Sequence, residues 1–151
     1  MRKPEPPAPS LAAGPLAAKL GVAAGTTLVV LHAPDDYERW LAPLPERVTV
    51  VRRPLPGALF VHLFFARRID LARELPVWRE RLDPNGTLWV SWPKRTSRIA
   101  TDVTEDVIRA LALPLGFVDV KVCAVTEVWS ALKLVVRSEL RASDGKRRPY
   151  R

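Results

Sequence analysis

Residues 27–40 read TLVVLHAPDDYERW, an apolar run that leads through a turn into a helix-forming segment. The run TLVVL is rich in β-branched residues and is bounded by turn signals, which predicts a strand. Because it is continuously apolar, the strand should be buried on both faces, as in a parallel sheet covered by helices. Asp35 or Asp36 is expected to cap the helix that follows. The stretch therefore predicts a β-α unit and an α/β fold.

The same alternation continues along the chain. Three further apolar runs are predicted strands: VTVVR (48–52), ALFVHLFFA (58–66) and TLWVSW (87–92). Asp70 is expected to cap a helix that Pro76 should kink or restart, and DPNG (83–86) reads as a turn. Asp102 and Glu105 resemble a capping box at the start of another helix.

The last two apolar runs, FVDVKVCAV (117–125) and EVWSALKLVVR (127–137), are separated by one residue. A parallel pair of strands needs a long crossover connection, and no room for one exists here. These runs are therefore predicted to form an antiparallel hairpin.

The ends of the chain differ in composition from its middle. Residues 1–15 are rich in proline and alanine and are expected to be an unstructured lead-in, residues 16–137 a single α/β domain, and residues 138–151 a basic, unstructured tail. Of the formal net charge of +8, only +2 belongs to residues 20–136. The tails thus allow at most a weak, salt-sensitive contact with nucleic acid.

Cysteine content and hydropathy narrow the cellular setting. The single cysteine, Cys123, cannot form an intramolecular disulfide, and the sequence has neither an apolar stretch of roughly 20 residues nor a recognisable export signal. We therefore expect a cytoplasmic protein that does not enter the membrane.

Three segments resemble the class I methyltransferases: KLGVAAGTTLVVL (19–31), RLDPNGTLWVSWP (81–93) and LPLGFVDV (113–120). The resemblance implies a reduced, three-layer Rossmann-like sheet of six strands in the order 2-1-3-4-6-5, with the C-terminal hairpin at one edge. A closer similarity is to a short bacterial family of unknown function, carried by residues 19–21, 82–94, 101–105 and 120–130. That similarity implies a fold and no established activity.

The chain departs from the methyltransferase pattern at three places. The turn HAPDD (32–36) replaces the glycine-rich turn that lets the backbone approach the cofactor. Arg52 and Arg53 stand where those enzymes usually carry a carboxylate for the ribose hydroxyls, and FFARR (64–68) replaces a polar substrate motif. These departures argue against S-adenosylmethionine as a ligand, and we predict no cofactor.

Basic side chains follow the carboxyl ends of several predicted strands. Ligands of open α/β sheets bind at that edge, so the pattern suggests an anionic ligand, although exposed arginines are also common in solvated loops. The candidate anion-binding rim consists of His32, Arg52, Arg67, Lys94, Arg95 and Arg98.

Aromatic residues near the same edge form a second candidate surface. Trp92, Trp129 and Ser130 can line a pocket or contact a partner, the alternative being ordinary core packing. Cys123 and His62 are interpreted as structural residues, and no metal-ligand spacing or known catalytic motif is present.

Three functions follow as hypotheses. The leading one is a non-catalytic, methyltransferase-like domain that binds an anionic small molecule or a protein partner. The alternatives are an S-adenosylmethionine-dependent methyltransferase with a degenerate cofactor turn, and a weak nucleic-acid-binding protein that uses its basic tails.

Overall fold

The computed structural model describes residues 14–141, which form one six-stranded sheet with helices on both faces. The strands lie in the order β2-β1-β3-β4-β6-β5, as predicted. They are β1 Thr27–Leu31, β2 Thr49–Val51, β3 Ala58–Phe64, β4 Leu82–Pro93, β5 Phe117–Ala124 and β6 Trp129–Val136. The α-helices are α1 Pro15–Leu20, α2 Tyr37–Leu41, α3 Arg68–Arg81 and α4 Glu105–Ala112.

The central strands β1 and β3 are buried because nearly all of their residues are apolar, with His62 of β3 as a buried polar exception. In β1, Leu28, Val29 and Val30 are each fully buried, and every residue of β3 from Phe60 onward is buried. Strands β2, β1, β3 and β4 are parallel, and β6 joins β4 antiparallel. The predicted mixed sheet with two covered faces is thus confirmed.

The two faces of the sheet carry separate cores. Leu71, Leu75 and Trp78 of α3 and Ile108 of α4 pack on one face, in a cluster that includes Val61 and Leu134. On the opposite face α1 and α2 pack against the sheet through Leu16, Leu20, Tyr37 and Leu41, together with Leu28, Phe64 and Trp89. Each helix therefore contributes an apolar stripe to one of two layers that enclose the sheet.

The connection from β2 to β3 contains no helix. Only residues 52–57 link the end of β2 to the start of β3, although β1 lies between these strands in the sheet. Leu55 of this segment packs on the α3-side core. Parallel strands usually need a crossover of a dozen or more residues. The three-residue length of β2 makes the shorter path possible.

The predicted hairpin is confirmed, and it fixes the position of the second edge. Strands β5 and β6 pair antiparallel, with Cys123 opposite Ala131. Strand β6 inserts beside β4, with Lys133 opposite Trp89 and Trp129 opposite Pro93. The turn of the hairpin consequently lies at the carboxyl end of β4.

The predicted caps of two helices are wrong: Asp70 does not cap α3, and Asp102 does not cap α4. Helix α3 begins after Arg67, and the Oδ1 of Asp102 accepts a 2.6 Å hydrogen bond from the backbone nitrogen of Arg68, whereas Asp70 lies inside the first turn. Helix α4 is capped by Thr104, whose hydroxyl oxygen accepts from the nitrogen of Val107. The capping residue of α3 thus comes from a loop distant in sequence, which local pattern does not reveal.

The expected cap of α2 is also absent. Asp36 occupies the N-cap position of this helix, but its side chain accepts no capping hydrogen bond. Its carboxylate is therefore available for other contacts.

Helix α3 runs through Pro76 as one 14-residue helix, so the predicted restart there is wrong. The exposed proline ring lies opposite the buried stripe of Leu71, Leu75 and Trp78. A carbonyl left unbonded on the exposed side can be hydrated, so its cost is smaller than the gain from the packed stripe. The sequence DPNG lies within the long β4, where the nitrogen of Asn85 donates to the Asp83 carboxylate.

The ends of the described region meet the predicted boundaries only in part. Residues 1–13 of the expected lead-in and 142–151 of the expected tail lie outside the described residues. Residues 138–141 form a helical turn, and Leu140 packs on the α3-side core. Packing on the core therefore continues at least to Leu140.

Candidate functional site

The turn after β1 keeps a glycine-like backbone without a glycine. His32 has φ of +67°, in the left-handed region where a Cβ is disfavoured. Its Nε2 lies 2.7 Å from Oε2 of Glu74 in α3, and its ring contacts that of Phe65. The imidazole thus ties the turn to the α3 side of the sheet.

Arg52 occupies the crevice between the carboxyl ends of β1 and β2. Its Nη2 donates to Oε1 of Glu38 at 2.7 Å, and its Nε donates to Oε2 of the same carboxylate at 3.1 Å. The guanidinium also donates to the carbonyl oxygens of Ala33 and Pro34, at 3.5 and 3.2 Å. The hydrogen bonds from Arg52 lower the pKa of Glu38, and that carboxylate raises the pKa of Arg52. Arg52 is therefore a structural clamp on the β1-α2 turn.

These contacts bear on the cofactor that the resemblance implies. A nucleoside ligand at this edge needs close backbone approach at the first turn and a hydrogen-bond acceptor at the end of β2. His32 brings a Cβ and a ring to the first position, and Arg52 places a cation bonded to the turn carbonyls at the second. The residues present do not fit S-adenosylmethionine in the usual manner.

The remaining predicted rim residues come together in two adjoining loops. The hydroxyl of Thr101 donates to the carbonyl oxygen of Ala66 at 2.6 Å, and Asp102 caps α3, so the loop after β4 lies against the loop after β3. We call the cations of these loops the basic cluster: Arg67, Arg68, Lys94, Arg95 and Arg98.

The members of the basic cluster differ in how they are paired. Arg67 lies 3.8 Å from Asp70. Within residues 14–141, no ion pair or side-chain hydrogen bond involves the side chains of Lys94, Arg95 or Arg98. His32 and Arg52 are engaged elsewhere, so the predicted rim divides into a structural pair and the basic cluster, of which Lys94, Arg95 and Arg98 are without such partners among the described residues.

The two predicted tryptophans lie on opposite faces of the sheet. Trp92 packs against the α3-side core and pairs with Ser130 across the β4-β6 ladder, while Trp129 packs against the α1-side core. The structure therefore does not bring Trp92 and Trp129 into one pocket. Trp129 lies opposite Pro93 in the β4-β6 ladder and therefore shares its face of the sheet. Since successive residues of a strand point to opposite faces, Trp92 lies on the other face.

Trp129 instead lines a cleft that the sequence did not predict. This indole cleft, of about 500 Å³, lies between the start of α2 and the hairpin turn, and its lining residues are Pro34, Asp36, Trp40, Thr126, Glu127, Val128 and Trp129. Its ionisable lining groups are both carboxylates. Trp40 belongs to the helix predicted after the first strand, and nothing in the local sequence pattern links it with Trp129.

A fully buried polar chain lies beneath the same edge. The hydroxyl of Tyr37 lies 2.8 Å from Nδ1 of His62, whose Nε2 lies 2.7 Å from the Ser91 hydroxyl oxygen. Burial lowers the pKa of His62 to about 3 and raises the pKa of Tyr37. The neutral imidazole joins α2, β3 and β4 as a structural element, in line with the interpretation from sequence.

Two further clefts flank β1. One of about 520 Å³ lies at the amino ends of β1 and β3 and is lined by residues 24–27, Val29 and residues 55–60. The other, of about 390 Å³, is lined by His32, Glu74, Trp78 and neighbouring residues, and contains neither Arg67 nor Lys94. Neither cleft combines the predicted rim residues.

A metal site, a reactive thiol and a membrane-spanning helix each have requirements with which the described residues can be compared. Among residues 14–141, no three His, Cys, Asp or Glu side chains are grouped to hold a metal ion. Cys123 is partly buried, and burial raises the pKa of its thiol. No helix in the same range has the length and apolarity needed to cross a bilayer.

Comparison with known proteins identifies the architecture. The fold is similar to a protein assigned provisionally to the type 11 methyltransferases from Sulfolobus solfataricus, with a TM-score of 0.57 and 13% identity over 82% of this chain and 90% of the other. It is also similar to LepI in complex with S-adenosylhomocysteine and a substrate analogue, with a TM-score of 0.51 and 14% identity over 89% of this chain. The chain spans half the length of LepI.

Sequence comparison adds nothing to this. No family model and no curated protein matches the chain, so the similarity to a short bacterial family stays a prediction. At these identities the likeness concerns the fold, and the mixed six-stranded sheet with flanking helices agrees with it. The chain therefore has a class I methyltransferase-like, Rossmann-type α/β fold.

Proposed function

We propose that the protein is a methyltransferase-fold binding domain that does not transfer methyl groups and that binds an anionic ligand at the basic cluster. The observation that carries the proposal is the hydrogen bonding of Arg52 to Glu38, Ala33 and Pro34. It places a fixed cation, already satisfied by protein groups, where a nucleoside cofactor would need an acceptor. The usual cofactor position is thereby given over to holding the turn.

The basic cluster offers an alternative position at the same sheet edge. Lys94, Arg95 and Arg98 follow β4, in the segment that leads to Thr101 and Asp102, and these two residues contact the segment that holds Arg67 and Arg68. Arginine forks and lysine ammonium groups without protein partners favour phosphate or carboxylate groups. The ligand class is a phosphate-bearing small molecule or an acidic segment of a protein partner.

Tripolyphosphate tests this proposal as a defined anionic probe. In low salt we expect it to raise the Tm of the full chain, because a ligand that binds the folded state stabilises it, and we expect added salt to weaken the effect. The double variant Arg95→Gln/Arg98→Gln should lose most of the shift. The control Arg39→Gln/Lys121→Gln removes the same charge from exposed positions on α2 and β5 and should keep it. Equal shifts in both variants would overturn the proposal.

An S-adenosylmethionine-dependent methyltransferase is the second candidate, favoured by the fold. The similar structures include LepI in complex with S-adenosylmethionine, at a TM-score of 0.50 and 13% identity. Calorimetric titration with S-adenosylmethionine and S-adenosylhomocysteine separates the two functions. Micromolar binding supports the methyltransferase, while absence of binding together with a tripolyphosphate shift supports the first proposal.

Binding of nucleic acid through the tails is a third candidate function, and a truncated chain together with the Arg95→Gln/Arg98→Gln variant tests it. Because Leu140 packs on the core, a truncation should end after Arg141 rather than after residue 137. Loss of retention on single-stranded DNA after removal of residues 142–151 would assign that binding to the tail. Retention that depends instead on Arg95 and Arg98 would assign it to the basic cluster.

A further inference from the structure

We propose that the indole cleft is a second binding site, for a compact organic cation of the quaternary or methylated ammonium type. It adjoins the basic cluster, since the backbone nitrogen of Lys94 donates to the carbonyl oxygen of Val128, but its ionisable lining groups are acidic and it takes a ligand of opposite charge. Two indoles and two carboxylates border the cleft, in a chain whose formal net charge is +8. A cleft of this sign on a basic protein selects cations locally, against the field of the whole molecule.

The aromatic walls rest on one buried ring. Phe64 of β3 is 2% exposed, and the rings of Trp40 and Trp129 lie 6.2 and 5.0 Å from it, centroid to centroid. Tyr37, itself anchored to His62, contacts both Trp40 and Phe64 edge-on. The two indoles therefore belong to a packed aromatic cluster and are held in place without a ligand. Such pre-positioned aromatic groups are what recognition of alkylated ammonium ions requires.

The carboxylates of the cleft are not used by the fold. Asp36 occupies the N-cap position of α2 and makes no capping hydrogen bond. Within the described range, no ion pair or side-chain hydrogen bond involves Asp36 or Glu127. No Lys or Arg lines the cleft, and the nearest described guanidinium contact to its lining, from Arg52 to the carbonyl oxygen of Pro34, is made by a cation already paired with Glu38. By contrast Arg52 neutralises Glu38 in the same helix. The two free carboxylates provide long-range attraction, and the indoles provide contact.

The chemistry and size of the cleft define the ligand class. An inorganic cation prefers several oxygen ligands, and this lining supplies apolar and aromatic surface instead. A volume of about 500 Å³ exceeds that of a trimethylammonium group and leaves room for a short substituent. An alkylated ammonium combines a diffuse charge with an apolar surface, so it is matched to both parts of the lining.

Tetramethylammonium and choline test the proposal, with 3,3-dimethylbutan-1-ol as the neutral isostere of choline. We expect calorimetry or chemical-shift titration of the full chain to show binding of both cations and at least about tenfold weaker binding of the alcohol. The double variant Asp36→Asn/Glu127→Gln should weaken cation binding by about threefold to tenfold and leave the alcohol unaffected.

Matched controls keep the test decisive. The double variant Asp35→Asn/Glu46→Gln removes two exposed carboxylates that do not line the cleft and should bind the cations like the wild type. Trp129→Leu should reduce binding further, but it also removes core contact, so the carboxylate variants carry the decision. Equal binding of choline and its neutral isostere, or no effect of Asp36→Asn/Glu127→Gln, would overturn the proposal. Absence of cation binding would also overturn this proposal. The proposal for the basic cluster is tested separately, because its Tm shift with tripolyphosphate does not depend on the indole cleft.

Discussion

Arg52 and Glu38 form a two-point ion pair that closes the crevice between β1 and β2, with Nη2 to Oε1 at 2.7 Å and Nε to Oε2 at 3.1 Å. The pair joins the end of one strand to the helix that follows its neighbour. Because the same guanidinium also binds two turn carbonyls, it ties the end of β2 to the β1-α2 turn by side-chain contacts.

Replacing Arg52 should therefore loosen the β1-α2 turn. We expect Arg52→Ala to lower the free energy of unfolding by at most about 1 kcal/mol, because the pair is exposed and solvent screens it. Urea denaturation measures the change, and Arg53→Ala is the matched control at an exposed neighbouring position. Equal stability of the two variants would contradict the clamp.

The backbone of His32 provides a second prediction. His32→Gly and His32→Ala both remove the contact with Glu74, but only glycine accepts φ of +67° without cost. We expect the glycine variant to be more stable than the alanine variant by about 1 kcal/mol. Denaturation midpoints of the two variants at equal m-values provide the measurement, and a more stable alanine variant would show that the turn relaxes to another conformation.

The buried His62 predicts a dependence of stability on pH. The pKa of His62 is about 3 in the folded state against an ordinary value of 6.5. Above about pH 6.5 the imidazole is neutral in both the folded and the unfolded chain, so it does not reduce the free energy of unfolding. As the pH falls from 6.5 towards 3, the unfolded chain takes up a proton that the folded chain refuses. The free energy of unfolding should then fall, by up to about 1.4 kcal/mol per pH unit.

NMR of the imidazole groups checks the same prediction directly. The chain has two histidines, and the signals of His62 should remain those of a neutral ring at pH 5. His62→Gln should show a flatter dependence of unfolding free energy between pH 6.5 and 4.5. Titration of His62 near its ordinary pKa would show that water reaches the Tyr37-His62-Ser91 chain.

The cap of α3 gives a comparison between two aspartates. Asp102→Ala should cost about 1 kcal/mol, because the nitrogen of Arg68 loses its acceptor. Asp70→Ala should cost less, since Asp70 only lies 3.8 Å from Arg67 and 3.5 Å from Arg73 at the surface. Thermal unfolding of both variants under one condition ranks them. A larger effect at Asp70 would restore the cap that the sequence predicts.

Apolar periodicity was sufficient to predict the strands, and the methyltransferase resemblance added their order. Periodicity identified β1 and β3 because each is buried on both faces, so nearly all of its residues are apolar. The local signals of proline and aspartate misled in two places, at the predicted restart at Pro76 and at the predicted cap Asp70, because the deciding contacts come from packing and from Asp102 in another loop. Such partners become neighbours only after folding.

The candidate site was predicted less well for a related reason. A basic residue after a strand is visible in sequence, but whether Arg52 is free or paired with Glu38 depends on the path of α2. Trp40 and Trp129 belong to a helix and a hairpin that meet only across the sheet edge. No local pattern joins them, although one tryptophan on each segment was a signal that a search for paired aromatics would have found.

The short link between β2 and β3 gives the molecule an engineering use. Residues 52–57 stand where parallel strands are usually joined by a longer crossover, commonly a helix, so they mark an insertion point. A helix-strand-helix cassette introduced after Arg53 would extend the sheet beyond β2 without disturbing the hairpin at the opposite edge. The β2 edge can thus be enlarged while the hairpin edge stays as it is.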